Sequence, residues 1–120
     1  MFEVSVEETF SAGHALRGYK GKCENVHGHN YRVQVSIMGP ELDSIGLLVD
    51  FGDVKKAIRG VVARLDHQFI NDLAPFDIVN PSAENIAIWI WDRLQGTGLP
   101  LREIQVFETP GCFVIYRGEG

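Results

Sequence analysis

Two of the four histidines in this chain form His27-Gly28-His29, directly ahead of the alternating run Tyr31, Val33, Val35, Ile37. Residues two apart in an extended strand project from the same face, with Cα atoms roughly 7 Å apart. Two imidazoles set that way can converge on one ion at Zn–N distances of about 2.0–2.1 Å. Gly28 between them adds no side chain and lets the backbone bend. A strand entry can carry two solvated histidines by chance, so His14 is what raises the signal. It ends a second strand-like run, Phe2, Val4, Val6, with Phe10 further along. If the two runs pair, three imidazoles meet at one end of a sheet. Three protein ligands with an open fourth position is the arrangement of a catalytic rather than a structural zinc.

Cys23 stands four residues before His27. It is a small apolar residue, a fourth ligand closing a Cys-His site, or a thiol acting as acid or base on whatever the metal holds. Lys20 and Lys22 just before it, or a nearby dication, would raise its thiolate fraction, and the polar loop favours the catalytic role. Asp66-His67 falls where a predicted helix ends. The pair is either a helix-terminal imidazolium beside a solvated carboxylate, or an Asp that holds the imidazole in one tautomer for proton transfer. Glu108 ends a predicted strand. It is an exposed carboxylate, or it grips a guanidine-like edge with two parallel hydrogen bonds. Arg17, Lys20, Lys22 and Arg32 give this region a positive local field or are solvated surface charge. Cys112, in an alternating apolar strand, reads as structural.

The elements that must position these groups follow from periodicity. Residues 2–12 and 30–39 alternate as strands, with His14 to Asn30 between them as a long loop of the kind that carries function. Asp50 caps a helix over about 51–66, striped by Phe51, Val54, Ala57, Ile58, Val61, Val62 and Leu65. Asn80-Pro81-Ser82 opens a second helix to about Leu94, with Gly96 as its stop. Ile86, Ala87, Ile90 and Leu94 form its buried face, while Ile88, Trp89 and Trp91 lie partly off it and suggest a further packing surface. Strands 101–108 and 112–117 close the chain around Thr109-Pro110-Gly111. The order β-β-α-α-β-β predicts an α+β fold with helices on one face of a four-stranded antiparallel sheet. Two edges of that sheet would be unpaired, and oligomerisation would protect them.

A length of 120 residues is one domain, 1–120, with room for a core. The net charge of −5 argues against nucleic acid or an anionic membrane as main partner, though not against an anionic small substrate. No apolar run is long enough to span a bilayer and no basic-then-apolar leader is present, so the chain reads as cytoplasmic. Cys23 and Cys112 are read as free thiols, since nothing else resembles a secreted disulfide scaffold.

The blocks Phe10-Ser11-Ala12-Gly13-His14, Cys23-x-x-x-His27-Gly28-His29-Asn30-Tyr31, Val49-Asp50-Phe51, Leu65-Asp66-His67, Asn80-Pro81-Ser82-Ala83-Glu84-Asn85 and Glu108-Thr109 follow one another along nearly the whole chain. In that order they resemble the 6-pyruvoyl-tetrahydropterin synthase superfamily, which has the tunnelling fold (T-fold). The Cys-x-x-x-His-Gly-His spacing and the Arg117-Gly118-Glu119 ending look like its bacterial branch, the 6-carboxy-tetrahydropterin synthases of queuosine biosynthesis. The resemblance implies zinc on His14, His27 and His29, proton transfer by Cys23 with Asp66 and His67, and a pterin anchored by Glu108. It implies a lyase acting on 7,8-dihydroneopterin triphosphate and releasing acetaldehyde and triphosphate. A pyruvoyl-type or sepiapterin-cleaving activity on the same site, and a non-catalytic zinc- or pterin-binding protein, are the alternatives. It also implies trimers whose sheets join into a barrel, stacked as a homohexamer with active sites at subunit boundaries. Gly13 and Ala15 depart from the Ala and Arg of many members, and Ser82 replaces the usual Thr while keeping a capping hydroxyl.

Overall fold

The computed structural model of the chain describes residues 1–18, 21 and 24–118. Two 13-residue strands, β1 (Phe2–His14) and β2 (His27–Gly39), pair antiparallel along their full length, from Phe2 opposite Gly39 to His14 opposite His27. β3 (Leu101–Thr109) pairs with the other side of β2, and β4 (Cys112–Tyr116) with β3, so the sheet order is β1-β2-β3-β4. The alternation predicted both long strands but stopped short of their ends. His14 and His27–Asn30 are strand residues, not loop, because each completes the same ladder.

The period-two pattern sorts the sheet into two faces. Val6, Phe10, Tyr31, Val33, Val35, Ile37, Ile104 and Val106 are buried together on one of them. Helices α1 (Phe51–Val62) and α2 (Ala83–Gln95) cover that face with Val54, Ile58, Val61, Ile86, Ala87, Ile90 and Leu94. Each such fully buried side chain contributes about 1.5–3 kcal/mol by leaving water. The predicted caps hold: the Asp50 carboxylate accepts from Gly52 N at 2.6 Å, and Ser82 Oγ accepts from Asn85 N at 3.2 Å. No helix of the described residues is long and apolar enough to cross a membrane.

Several expectations are corrected. α1 ends at Val62, not near residue 66, because the chain tightens there into Arg64 N→Val61 O and Leu65 N→Val62 O turns. Leu65 still packs in the core. Gly96 caps α2 in right-handed geometry, and Gly98, at φ 81°, takes the left-handed position. Trp91 is buried, edge-on to Tyr116 with centroids 5.5 Å apart, so only Ile88 and part of Trp89 remain as apolar surface on α2. Cys112 is exposed rather than a core residue. The outer edge of β1 is not wholly open either. Residues 66–69 run beside it, with His67 N donating to Ser11 O at 2.6 Å and Gly13 N to Gln68 O at 3.0 Å.

Candidate metal centre

The register that pairs β1 with β2 sets three imidazoles side by side. His14 lies directly opposite His27, and His29 lies opposite Ala12 on the same face. Their ring centroids are 4.5, 5.1 and 5.0 Å apart in edge-on pairs. One potential ligand atom from each lies within 4.8 Å of the others, and among the described residues these three form the group able to hold a metal ion.

Backbone carbonyls orient two of the rings. His14 Nδ1 donates to Pro81 O, just ahead of α2, and His27 Nδ1 donates to Asn25 O, each at 2.7 Å. With Nδ1 protonated, Nε2 of each neutral ring carries the free lone pair that a metal requires. His14 is 1% exposed, and burial lowers its pKa against the opposing pull of the Pro81 hydrogen bond and Glu108. The neutral, ligating form is thereby favoured. His14 Nε2 and His29 Nε2 are both buried without a hydrogen-bond partner in the described protein. Orphaned lone pairs converging from two strands fit a cation such as zinc.

Glu108 stands beside this cluster. Arg32 pairs with Phe107, so one step along the ladder brings Glu108 next to Tyr31 on the helix-covered face. Its Oε2 lies 3.1 Å from His29 Nε2 and 4.0 Å from His14 Nε2. The Tyr31 ring stacks on Phe10, and its buried phenol is pushed well above the ordinary range by burial, with Glu108 adding to the shift.

Asp66 and His67 are brought together but stay outside the three-histidine cluster. His67 Nδ1 is 3.0 Å from Asp66 Oδ1, and Asp66 Oδ1 also accepts from Ser11 N at 2.9 Å. The Ser11 amide and then the His67 partner hold the Asp66 carboxyl below its usual range. Histidine 67 sits at φ 60°, a left-handed conformation that costs a side-chain-bearing residue energy. It lines a cavity of about 520 Å³ with Ser11, Gly28, His29 and Asn30, and its side chain is 81% exposed.

Cys23, with its neighbours Lys20 and Lys22, lies outside the described residues. Arg17 is not a free cation: its guanidinium donates to Phe76 O at 2.8 Å and to Asn71 O at 3.4 Å. Arg32 lies over the Phe107 ring at 3.9 Å on the opposite face from the histidines. Sequence reasoning missed two residues that hold the start of the loop after His14. Asn71 accepts from Ala15 N at 2.9 Å and donates to Ala15 O at 2.8 Å. Asn80 does the same for Arg17, at 2.9 Å each way. Asn80 drew notice only as part of a helix-opening triplet, and Asn71 carried no local signal at all.

Known proteins match this chain along nearly its whole length. Residues 3–119 match the family model described as 6-pyruvoyl tetrahydropterin synthase. A protein of Archaeoglobus fulgidus, provisionally named a 6-carboxy-5,6,7,8-tetrahydropterin synthase, is 38% identical over 88% of this chain and 86% of its own length. The 6-pyruvoyl tetrahydrobiopterin synthase of Dictyostelium discoideum is 36% identical over 93% of each chain. The solved structure of the Caenorhabditis elegans 6-pyruvoyl tetrahydropterin synthase superposes with a TM-score of 0.86 at 29% identity, covering 99% of this chain and 98% of that one. Its T-fold is therefore the fold of this chain, which belongs to the 6-pyruvoyl tetrahydropterin synthase family.

Proposed function

We propose that this chain is a zinc-dependent lyase that converts 7,8-dihydroneopterin triphosphate to 6-carboxy-5,6,7,8-tetrahydropterin, releasing acetaldehyde and triphosphate, in queuosine and 7-deazapurine biosynthesis. The observation that carries the reading is the pair of buried Nε2 atoms on His14 and His29, without a hydrogen-bond partner among the described residues, beside the carboxylate of Glu108. His14, His27 and His29 hold the zinc, which when bound acts as Lewis acid and template and lowers the pKa of the substrate's side-chain hydroxyls.

The chain's own groups supply the rest. Glu108 takes the guanidine-like edge of the pterin by paired hydrogen bonds, fixing which carbon meets the base. Cys23, as thiolate, removes a proton from that carbon. Asp66 holds Nδ1–H of His67, leaving Nε2 to accept or return a second proton. Triphosphate departs by elimination, and one water is consumed as a carbon–carbon bond of the side chain breaks, releasing acetaldehyde and leaving the carboxy group on the pterin.

The Cys23-x-x-x-His27 spacing and the 38% identity to the Archaeoglobus relative support the carboxy product. The 36% identity to the Dictyostelium enzyme supports a pyruvoyl product from the same site. Incubation with 7,8-dihydroneopterin triphosphate and mass spectrometry of the products separates them. Acetaldehyde with a 6-carboxy pterin is the expected result. A 6-pyruvoyl product would move the chain to the other branch, and no turnover by zinc-loaded protein would leave it a binding protein.

A further inference from the structure

We infer that Glu108 is also a ligand of the metal centre, closing its fourth position until a pterin draws the carboxylate away. This inference rests on the functional reading above and gives one residue two successive partners.

The geometry is that of a single oxygen shared between two nitrogens. Among the described residues, Glu108 Oε2 is the carboxylate oxygen that approaches both His29 Nε2, at 3.1 Å, and His14 Nε2, at 4.0 Å. Those imidazoles come from different strands, and neither nitrogen has a hydrogen-bond partner among the described residues. A hydrogen bond would satisfy one of them at most, and the 3.1 Å contact does not have hydrogen-bond geometry. A common electrophile among the three atoms satisfies all of them. Carboxylates ligate zinc at about 2.0–2.2 Å, and histidine–glutamate sets are ordinary zinc chemistry.

Charge points the same way. Three neutral imidazoles leave the full 2+ of the ion in a site where His14 is 1% exposed and His29 18%. One carboxylate halves that charge, which matters most where water is scarce. Glu108 is 29% exposed, so its outer side remains reachable by a ligand. A pterin edge offering two parallel N–H donors competes for the same oxygens, and its arrival opens the metal to the substrate's hydroxyls. Opening on demand keeps the position from other ligands when no substrate is present.

The test uses the full chain reconstituted with Co²⁺, whose visible absorption reports the ligand set. Wild-type and Glu108→Gln proteins are compared at equal metal content, with Glu108→Asp as a second variant that keeps a carboxylate on a shorter arm. We expect the visible bands of Glu108→Gln to shift from wild type. Plain pterin, which has no side-chain hydroxyls to offer the metal, should shift the wild-type bands and leave those of Glu108→Gln unchanged. Zinc affinity, measured against a chelator, should fall at least about tenfold in Glu108→Gln, since even outer partners of metal sites contribute that much. Identical cobalt spectra for wild type and both variants would overturn the ligand assignment. So would a near-ultraviolet thiolate-to-cobalt band that vanishes in Cys23→Ala, because Cys23 would then hold the fourth position. Pterin that binds, by fluorescence quenching, without changing the wild-type spectrum would overturn the exchange. Failure of the zinc-loaded protein to bind pterin at all would instead count against the functional reading, while the ligand assignment is judged from the pterin-free spectra.

Discussion

At the scale of single residues, the site depends on which atom of each side chain is already engaged. His14 and His27 direct Nδ1 to backbone carbonyls, which leaves Nε2 for a metal. Removing either ring should therefore remove the ion, whereas removing a group that acts only on bound substrate should not. We expect about one zinc per wild-type chain by elemental analysis and loss of most of it in His27→Ala. Cys23→Ala should keep its zinc and lose turnover by on the order of 100-fold or more, the usual worth of a positioned acid or base. Zinc lost together with activity in Cys23→Ala would make the thiol a ligand. Full metal in His27→Ala would refute the three-histidine set.

At the scale of elements, the chain just past the C-terminal end of β1 is held by side chains that imitate backbone. Asn71 donates to and accepts from Ala15 as a neighbouring strand would, one residue beyond the ligand His14. Asn71→Asp keeps the acceptor but replaces the donor with an oxygen facing the Ala15 carbonyl. That should cost about 1–3 kcal/mol, the usual cost of an unpaired polar group, and weaken zinc binding in parallel. Urea unfolding at matched metal content and chelator competition measure the two effects. Unchanged stability and affinity would dismiss the clamp.

On the opposite face of the sheet, Glu103 is nearly buried and accepts from Gln105, Arg102 and Arg117. The Gln105 hydrogen bond, then the two guanidinium groups, hold its carboxyl below the unperturbed 4.5, against burial. A lowered folded-state pKa means that this stabilisation is complete above about pH 4.5 and is lost as pH falls through the folded value. Glu103→Gln should thus be less stable than wild type at pH 7, by about 1 kcal/mol given the solvent-facing arginines. The difference should shrink as pH falls below about 4.5 and close once the carboxyl is protonated in the folded state as well. A gap that persists in acid would assign the effect to packing.

At the scale of the whole molecule, the exposed pieces are those a partner would cover. The described part of β4 has no strand on its outer side, Ile88 is 38% exposed on α2, and the His67 imidazole is largely solvent-facing. The proposed assembly is a trimer or hexamer in which Asp66 and His67 of one subunit serve the metal loop of the next. Inactive Cys23→Ala and inactive His67→Ala chains, co-assembled in equal amounts, should then regain about a quarter of wild-type activity by random pairing across the interface. Sedimentation should show a large oligomer. An active monomer, or no rescue in demonstrably mixed oligomers, would rule out the shared site.

Much of this was legible because it is periodic or local. Alternation from Tyr31 to Ile37 and the stripe from Val54 to Val62 identified the faces that pack, since burial follows the strand and helix repeats. Asp50 and Ser82 were legible as caps because capping needs only neighbours in sequence. His27 and His29 were legible as a pair because His-x-His on a strand shares one face whatever the fold around it. The pairing of His14 with His27 required the register of the whole β1-β2 ladder, which thirteen residue pairs determine jointly. The carbonyls of Pro81 and Asn25, the Ser11 amide on Asp66 and the Asn71 clamp are contacts of backbone atoms, many across more than fifty residues. Backbone atoms are the same at every position, so no residue type announces such a contact. Tertiary structure also decided that Trp91 is buried and Cys112 exposed, because each outcome depends on which neighbour arrives: Tyr116 across from the first, solvent beside the second.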